Sequence, residues 1–134
     1  MNVLVVDTSV WISYFRVKPF VGEDMLELAL KEGRVHLPPI VVAELMSGQM
    51  RSAQRLKLKQ FVRELEFCNC DLDHWERVAA LREHLAHNGM AVSTPDTHVA
   101  QCCLDLKALD NRVDLLTQDQ IFTKIAKFCD LTLV

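Results

Sequence analysis

The sequence predicts an α/β fold, a three-layer α/β/α sandwich around a mostly parallel sheet. Short runs rich in β-branched residues alternate with longer helical patterns along the whole chain. The first run, Val3-Leu4-Val5-Val6, carries no polar side chain, as expected of a strand buried on both faces in a parallel sheet. The length of 134 residues suits one domain, 1–134. A chain of this size buries roughly two-thirds of the surface exposed by its unfolded form, enough for a core without staples.

The elements follow in order. The Val3–Val6 strand ends at Asp7-Thr8-Ser9, a run of good N-caps, and a helix through Trp11, Ile12 and Phe15 follows. Lys18-Pro19 breaks it. Met25, Leu26, Leu28, Ala29 and Leu30 suggest a second helix, closed by Gly33. Val35-His36-Leu37 is a short strand. Pro38-Pro39 opens a helix from Ile40 to Met46 that stops near Gly48, with Pro39 tolerated in the first turn. Ser52–Leu65 places Leu58, Phe61, Val62 and Leu65 on one helical face. Phe67–Cys70 reads as a weak strand. A helix starting at Asp73 ends at Asn88-Gly89, and Ser93-Thr94-Pro95-Asp96 caps another that reaches about Lys107. Leu115-Leu116-Thr117 is a strand, Asp119 caps a helix to about Phe128, and Leu131–Val134 is a closing strand.

Composition narrows the function. Half of the residues are hydrophobic and a quarter charged, an ordinary globular balance. The net charge of −3 counts against a broadly basic nucleic-acid binder, although carboxylates gathered around a cation would also contribute negative charge. The five cysteines, Cys68, Cys70, Cys102, Cys103 and Cys129, read as reduced thiols. Cys68-Asn69-Cys70 has the wrong spacing for a zinc knuckle, so core packing is expected there. No basic leader or long apolar run opens the sequence, which predicts a soluble, cytoplasmic protein with no membrane partner.

Ligands bind in parallel α/β sheets at the carboxyl ends of the strands, and four acids could meet there. Asp7 ends the first strand. Asp119 lies two residues past Thr117. Asp96 is in the first turn of a helix. Glu44 is the only polar side chain in Leu37–Met46. Singly, Asp7, Asp96 and Asp119 also read as helix caps or first-turn acids, and Glu44 as a solvated edge position. Jointly, the four would repel one another. No lysine or arginine lies within a few residues of Asp7, Glu44 or Asp96. A hard divalent cation, Mg²⁺ or Mn²⁺, is the natural neutraliser. Hydroxyls at Thr8, Ser9, Ser93 and Thr117 complete an oxygen-rich set suited to phosphodiester hydrolysis by metal-activated water.

These motifs carry a family resemblance. Asp7-Thr8-Ser9-Val10-Trp11-Ile12 after a hydrophobic strand resembles the opening of PIN-domain nucleases of the VapC toxin group. Val42-Ala43-Glu44-Leu45 with Gly48 resembles their second acidic motif, Asp96-Thr97-His98-Val99-Ala100 the third, and Leu115-Leu116-Thr117-Gln118-Asp119 with Phe122 the fourth. Order and spacing agree over essentially the whole chain. The resemblance implies a catalytic metal centre at Asp7, Glu44, Asp96 and Asp119, RNA cleavage, a homodimer, and inhibition by a small antitoxin. Ile121 stands where many relatives carry a further acid, which leaves the number of metal ions, one or two, open.

Other residues are secondary. Arg51, Arg55, Lys59 and Arg63 recur every four residues and are candidates for RNA or antitoxin contact, or form a solvated basic face. His84 and His87 read as a surface pair, His98 as a neighbour of Asp96 within reach of a substrate, and Trp11, Phe15 and Trp75 as core or dimer-interface aromatics. Competing classes fit less well. A haloacid-dehalogenase-like phosphatase needs an acid where Ser9 stands. A receiver domain needs a lysine where Thr117 and Gln118 stand. A non-catalytic module on the same scaffold would have lost an acid. A nuclease for RNA processing or DNA cleavage is the nearest alternative.

Overall fold

A computed structural model describes all 134 residues. The elements are β1 (Asn2–Val6), α1 (Thr8–Phe15), α2 (Glu23–Lys31), β2 (Val35–Leu37), α3 (Pro39–Met46), α4 (Ser52–Arg63), β3 (Glu66–Phe67), α5 (Leu72–His87), α6 (Thr94–Ala108), β4 (Arg112–Leu116) and α7 (Ile121–Ile125). The strands form one parallel sheet in the order β3-β2-β1-β4, flanked by the helices.

β1 lies between β2 and β4, and its register aligns Val5 with Leu115 and Val6 with Leu116. Side chains of successive strand residues point to opposite faces. Because Val3, Leu4, Val5 and Val6 are all buried, both faces of β1 are covered. A slip of one residue would turn every side chain to the opposite face and repack both layers. Asp7 and Thr117 then follow the ends of two paired strands, and the Asp7 amide donates to the Leu116 carbonyl at 3.0 Å. The sheet's carboxyl edge is therefore built around these two residues.

The core is a single cluster that includes Trp11, Leu26, Leu85, Phe122 and Ile125 with the strands. Gly22 enters α2 at φ +94°, and a Cβ there would sit 2.8 Å from Cδ1 of Leu116. A left-handed conformation costs a non-glycine residue about 1–2 kcal/mol. Gly22→Ala should lower the melting midpoint by several degrees, measured by calorimetry; an unchanged midpoint would mean that the turn and Leu116 adapt freely.

Several boundaries differ from the sequence reading. α5 starts at Leu72, because the Asp71 side chain, not Asp73, accepts the first-turn amide, that of His74, at 3.0 Å. The weak strand shrinks to Glu66–Phe67 and leaves Cys68–Cys70 as an irregular entry to α5. α4 stops at Arg63. α7 ends at Ile125, beyond which the chain tightens into three-residue turns such as the Phe128 amide to the Ile125 carbonyl, 2.9 Å. The closing strand reduces to one parallel bridge between Leu133 and Leu115. Lys107 holds that tail by donating to the Asp130 carbonyl and to Thr132 Oγ1. No helix is long and apolar enough to cross a membrane.

Candidate functional site

The local sequence explains how each acid is held. Asp7 is the residue between β1 and α1, buried, in an extended conformation. Its Oδ2 accepts two hydroxyl hydrogen bonds, from Ser9 Oγ at 2.9 Å and Thr117 Oγ1 at 3.0 Å. Thr117 Oγ1 in turn accepts from the Asp119 amide, and Ser9 Oγ accepts from the Gln118 amide, each at 3.0 Å. Two hydroxyls thus tie the end of β1 to the end of β4 and fix the Asp7 carboxylate in one orientation.

Asp119 is exposed, and its Oδ1 accepts from the Ile121 amide at 3.0 Å, which turns the chain into α7. Asp96 is in the first turn of α6, half-buried. Ser93 caps that helix, accepting from the Asp96 amide at 3.3 Å and donating to Asp96 Oδ2 at 2.9 Å. Burial pushes the Asp96 carboxyl above the ordinary range. The Ser93 hydrogen bond opposes that rise, and the charges of Asp119 and Asp7 add to it. Those two charges show that Asp7, Asp96 and Asp119 share one field.

Glu44 is exposed on α3, the solvated position its sequence allowed despite the apolar run around it. What locates it is Thr8, whose Oγ1 donates to Glu44 Oε1 at 2.8 Å and so joins α3 to the first residue of α1. None of the four acids is ion-paired. The ion pairs of the molecule are Arg34–Glu32, His74–Asp105, Arg77–Asp105, His87–Glu83 and Lys107–Asp130. The acids are therefore braced by hydroxyls and amides, and no basic side chain neutralises them.

A cleft of about 600 Å³ opens beside Glu44, with Ile12, Phe15, Met50, Leu58 and Phe61 among its walls. Trp11, Phe15 and Phe61 form an aromatic group there, with Trp11 fully buried and Phe15 partly exposed. The basic row divides. Arg55 donates to the carbonyls of Met46 and, at 3.2 Å, Gly48, so it caps the end of α3. Arg51 is the N-cap of α4. Lys59 and Arg63 are exposed, and Lys57, outside the row, lines the cleft.

His98 is not beside a substrate path. It is fully buried and faces His74, with ring nitrogens 2.8 Å apart, and Trp75 stacks on it. Burial, and then the neighbouring His74, pull its pKa down to about 4, so it is neutral. His84 and His87 are exposed, as expected.

The PIN domain family model matches residues 4–128, most of the chain. The chain belongs to the PIN domain family. No curated protein matches its sequence. Solved structures match its fold. One is a chain of the DNA-bound VapBC complex from Salmonella typhimurium, at TM-score 0.77 and 18% identity, covering 100% of this chain and 98% of that one. VapBC2 from Rickettsia felis, bound to a promoter DNA fragment, matches at TM-score 0.77 and 20% identity, with 98% and 97% covered. VapBC-5 of the toxin–antitoxin family from Mycobacterium tuberculosis matches at 0.69 and 24%, with 100% and 98% covered. This PIN domain has the four-stranded parallel sheet and flanking helices of those structures, which bears out the fold and the family expected from its motifs.

Proposed function

We propose that this PIN domain is a metal-dependent endoribonuclease that acts as the toxin of a toxin–antitoxin pair. One observation carries the reading. Asp7, Glu44, Asp96 and Asp119 come from separate parts of the chain, are each anchored by a hydroxyl or amide, and have no basic partner. The donor set fits Mg²⁺ or Mn²⁺: it is all oxygen, part of it is exposed, and burial, with a smaller addition from the Asp119 and Asp7 charges, raises the Asp96 pKa. When bound, such a metal supplies an activated water and stabilises charge on the scissile phosphate.

The side chains divide the remaining work. Asp7 is the fixed point, because Ser9 and Thr117 occupy its Oδ2 and leave Oδ1 for a ligand. Asp96 and Asp119 would complete the set, and Thr8, the residue after Asp7, holds Glu44 of α3. Thr117 is a positioning residue for both Asp7 and Asp119. Thr117→Val should lower cleavage roughly 10–100-fold, the usual effect of removing a group that orients a metal ligand, with KM little changed. Steady-state kinetics on an RNA substrate checks this; an undiminished kcat would remove Thr117 from the site.

The partner reading rests on the cleft beside Glu44. Its apolar walls suit a short segment of a small antitoxin, and Arg16 and Lys57 at its rim suit acidic groups on that segment. A segment seated there would end at Glu44 and obstruct the acids. The similar structures are of VapBC toxin–antitoxin systems, which favours an antitoxin partner. Lys59 and Arg63 remain free to meet RNA or the antitoxin, and exposed Val21, Met25 and Leu28 offer a surface for a homodimer in the cytoplasm. The test is cleavage of a structured RNA by the purified chain with Mg²⁺ or Mn²⁺, and its loss with EDTA. Equal activity in EDTA would overturn the mechanism. Cleavage of DNA alone would move the chain to the DNA-cleaving alternative.

A further inference from the structure

A second group of ligand atoms lies away from the acids. Cys70, His74, His98 and Cys102 each offer one, and these all lie within 4.8 Å of one another. Cys70 stands at the entry to α5, and His74 is in that helix's first turn. His98 and Cys102 are one turn apart on α6. The two pairs therefore face each other across the packed α5–α6 interface. His74, His98 and Cys102 are buried and Cys70 is half-buried.

We propose that Cys70, His74, His98 and Cys102 form a structural Zn²⁺ site that clamps α5 to α6.

The ligand atoms are close to tetrahedral spacing and need small shifts to reach it. With Zn–S about 2.3 Å and Zn–N about 2.0–2.1 Å, ligand atoms on one ion stand about 3.3–3.8 Å apart. Here the Cys70 and Cys102 sulfurs are 3.9 Å apart, and Cys102 Sγ lies 4.0 Å from His98 Nδ1. His74 Nε2 and His98 Nδ1 are 2.8 Å apart, a contact that opens slightly to admit the ion. Two sulfurs and two imidazole nitrogens form a closed set of four, the composition of structural zinc sites and a poor match for hard cations such as Mg²⁺.

The surroundings complete the site. His74 Nδ1 donates to Asp105 Oδ2 at 2.6 Å, which leaves the Nε2 lone pair facing the other ligands. Asp105 is itself held by Arg77, at 2.8 and 3.1 Å, and by Gln101 Nε2 at 2.8 Å. A carboxylate orienting a ligand histidine, and a cation balancing that carboxylate, is the outer arrangement metal sites use. Binding releases one proton from each thiol to solvent, and the neutral His98 ring shifts its single proton from Nδ1, where it bridges to His74, to Nε2, which frees Nδ1 for the ion. Two thiolates and one Zn²⁺ sum to zero charge, so the ion adds no net charge to the interior. Trp75 shields one face by stacking on His98, with ring centroids 4.6 Å apart. Cys102 also lines a cleft of about 580 Å³ that provides a path inward.

The competing account is a metal-free network in which His98 donates to His74 and the thiols only fill space. It gives the two sulfurs no reason to meet the two nitrogens at one point. The site also bears on Asp96, which lies two residues before His98 in the first turn of α6. A clamp on His98 steadies that turn without touching a substrate.

The test is direct. Protein purified under reductant and without chelator should carry about one zinc per chain by plasma mass spectrometry. Cobalt added to the metal-free, reduced chain should give the d–d bands of a tetrahedral ion and a thiolate charge-transfer band. Cys70→Ser and Cys102→Ser should lose the charge-transfer intensity and most of the zinc, and Cys129→Ser should keep both. Because a serine variant can fail to fold, the wild type is also titrated: Zn²⁺ should raise the melting midpoint of the metal-free protein to saturation at one equivalent, and Mg²⁺ should not. Folded, reduced protein that takes up neither zinc nor cobalt would overturn the proposal, as would cobalt bound without thiolate bands. Glu44→Gln should retain its zinc, so this result is independent of the fate of the nuclease reading.

Discussion

Asp96→Asn should abolish RNA cleavage yet leave the metal-free protein at least as stable as the wild type. If Asp96 holds the catalytic metal, its loss removes several kcal/mol of transition-state stabilisation, on the order of a thousandfold in rate. Stability moves the other way. The Asp96 carboxyl is raised by burial and by the Asp119 and Asp7 charges, against the pull of Ser93. An acid whose folded pKa lies above its unfolded value binds more protons in the folded state. Stability therefore falls as pH rises from the ordinary carboxylate range through the raised value, and stays lower at neutral pH. Asparagine removes that penalty and can still accept from Ser93 Oγ. The loss is an N-terminal dipole interaction of about 0.3–1 kcal/mol. In EDTA the variant should melt level with the wild type or above it. With a hundredfold excess of Mg²⁺ over its dissociation constant, the wild type should gain about 2.7 kcal/mol and the variant little. A variant that melts well below the wild type in EDTA would make Asp96 a structural cap.

Trp11→Ala should be the most damaging single substitution in the core. Trp11 is fully buried and contacts Tyr14, Phe15 and Phe61, with ring centroids 5.8, 5.9 and 5.5 Å away. Phe or Trp to Ala in a core costs about 3–5 kcal/mol, a large share of the roughly 5–15 kcal/mol that holds a domain folded. The melting midpoint should fall by roughly 10–20 °C. Trp11→Phe should be far milder. The indole Nε1 is buried with no hydrogen-bond partner, and phenylalanine removes that unpaired donor along with some volume. If Trp11→Phe costs as much as Trp11→Ala in a thermal melt, the shape of the indole outweighs its unpaired donor.

β1, β2 and α3 were legible because their signals are local: an unbroken apolar run, a glycine after α2, a proline pair at the start of α3. Asp7 and Asp119 are legible as residues after strands, Asp96 as a first-turn acid and Glu44 as the one polar residue of an apolar helix, with Thr8, Ser9, Ser93 and Thr117 as nearby hydroxyls. Which hydroxyl braces which acid required the tertiary structure, since Thr117 reaches Asp7 across 110 positions. Arg55 was misread for the same reason. Its spacing suggested a free basic row, but its guanidinium is taken up by the carbonyls that end α3.

The Cys and His cluster shows the limit most sharply. The sequence offers Cys68-Asn69-Cys70 as part of a weak strand, in which Cys68 and Cys70 would share one face. The strand ends at Phe67, so that alternation does not apply. The signal present was a Cys and a His four apart, then a His and a Cys four apart. Each pair supplies only half a site, and only the packing of α5 on α6 joins them.

That cluster also shapes the decisive experiment, because EDTA would strip zinc as well as Mg²⁺. The central claim is that the four carboxylates form one catalytic Mg²⁺ site. The measurement is single-turnover RNA cleavage by zinc-replete, antitoxin-free protein as Mg²⁺ is raised from zero, for the wild type and for Asp7→Asn, Glu44→Gln, Asp96→Asn and Asp119→Asn. The account predicts no cleavage without Mg²⁺, a saturable rise for the wild type, and a loss of rate or a shift to much higher Mg²⁺ for every variant. Cleavage at full rate without added Mg²⁺, or unchanged Mg²⁺ dependence in the four variants, would contradict it.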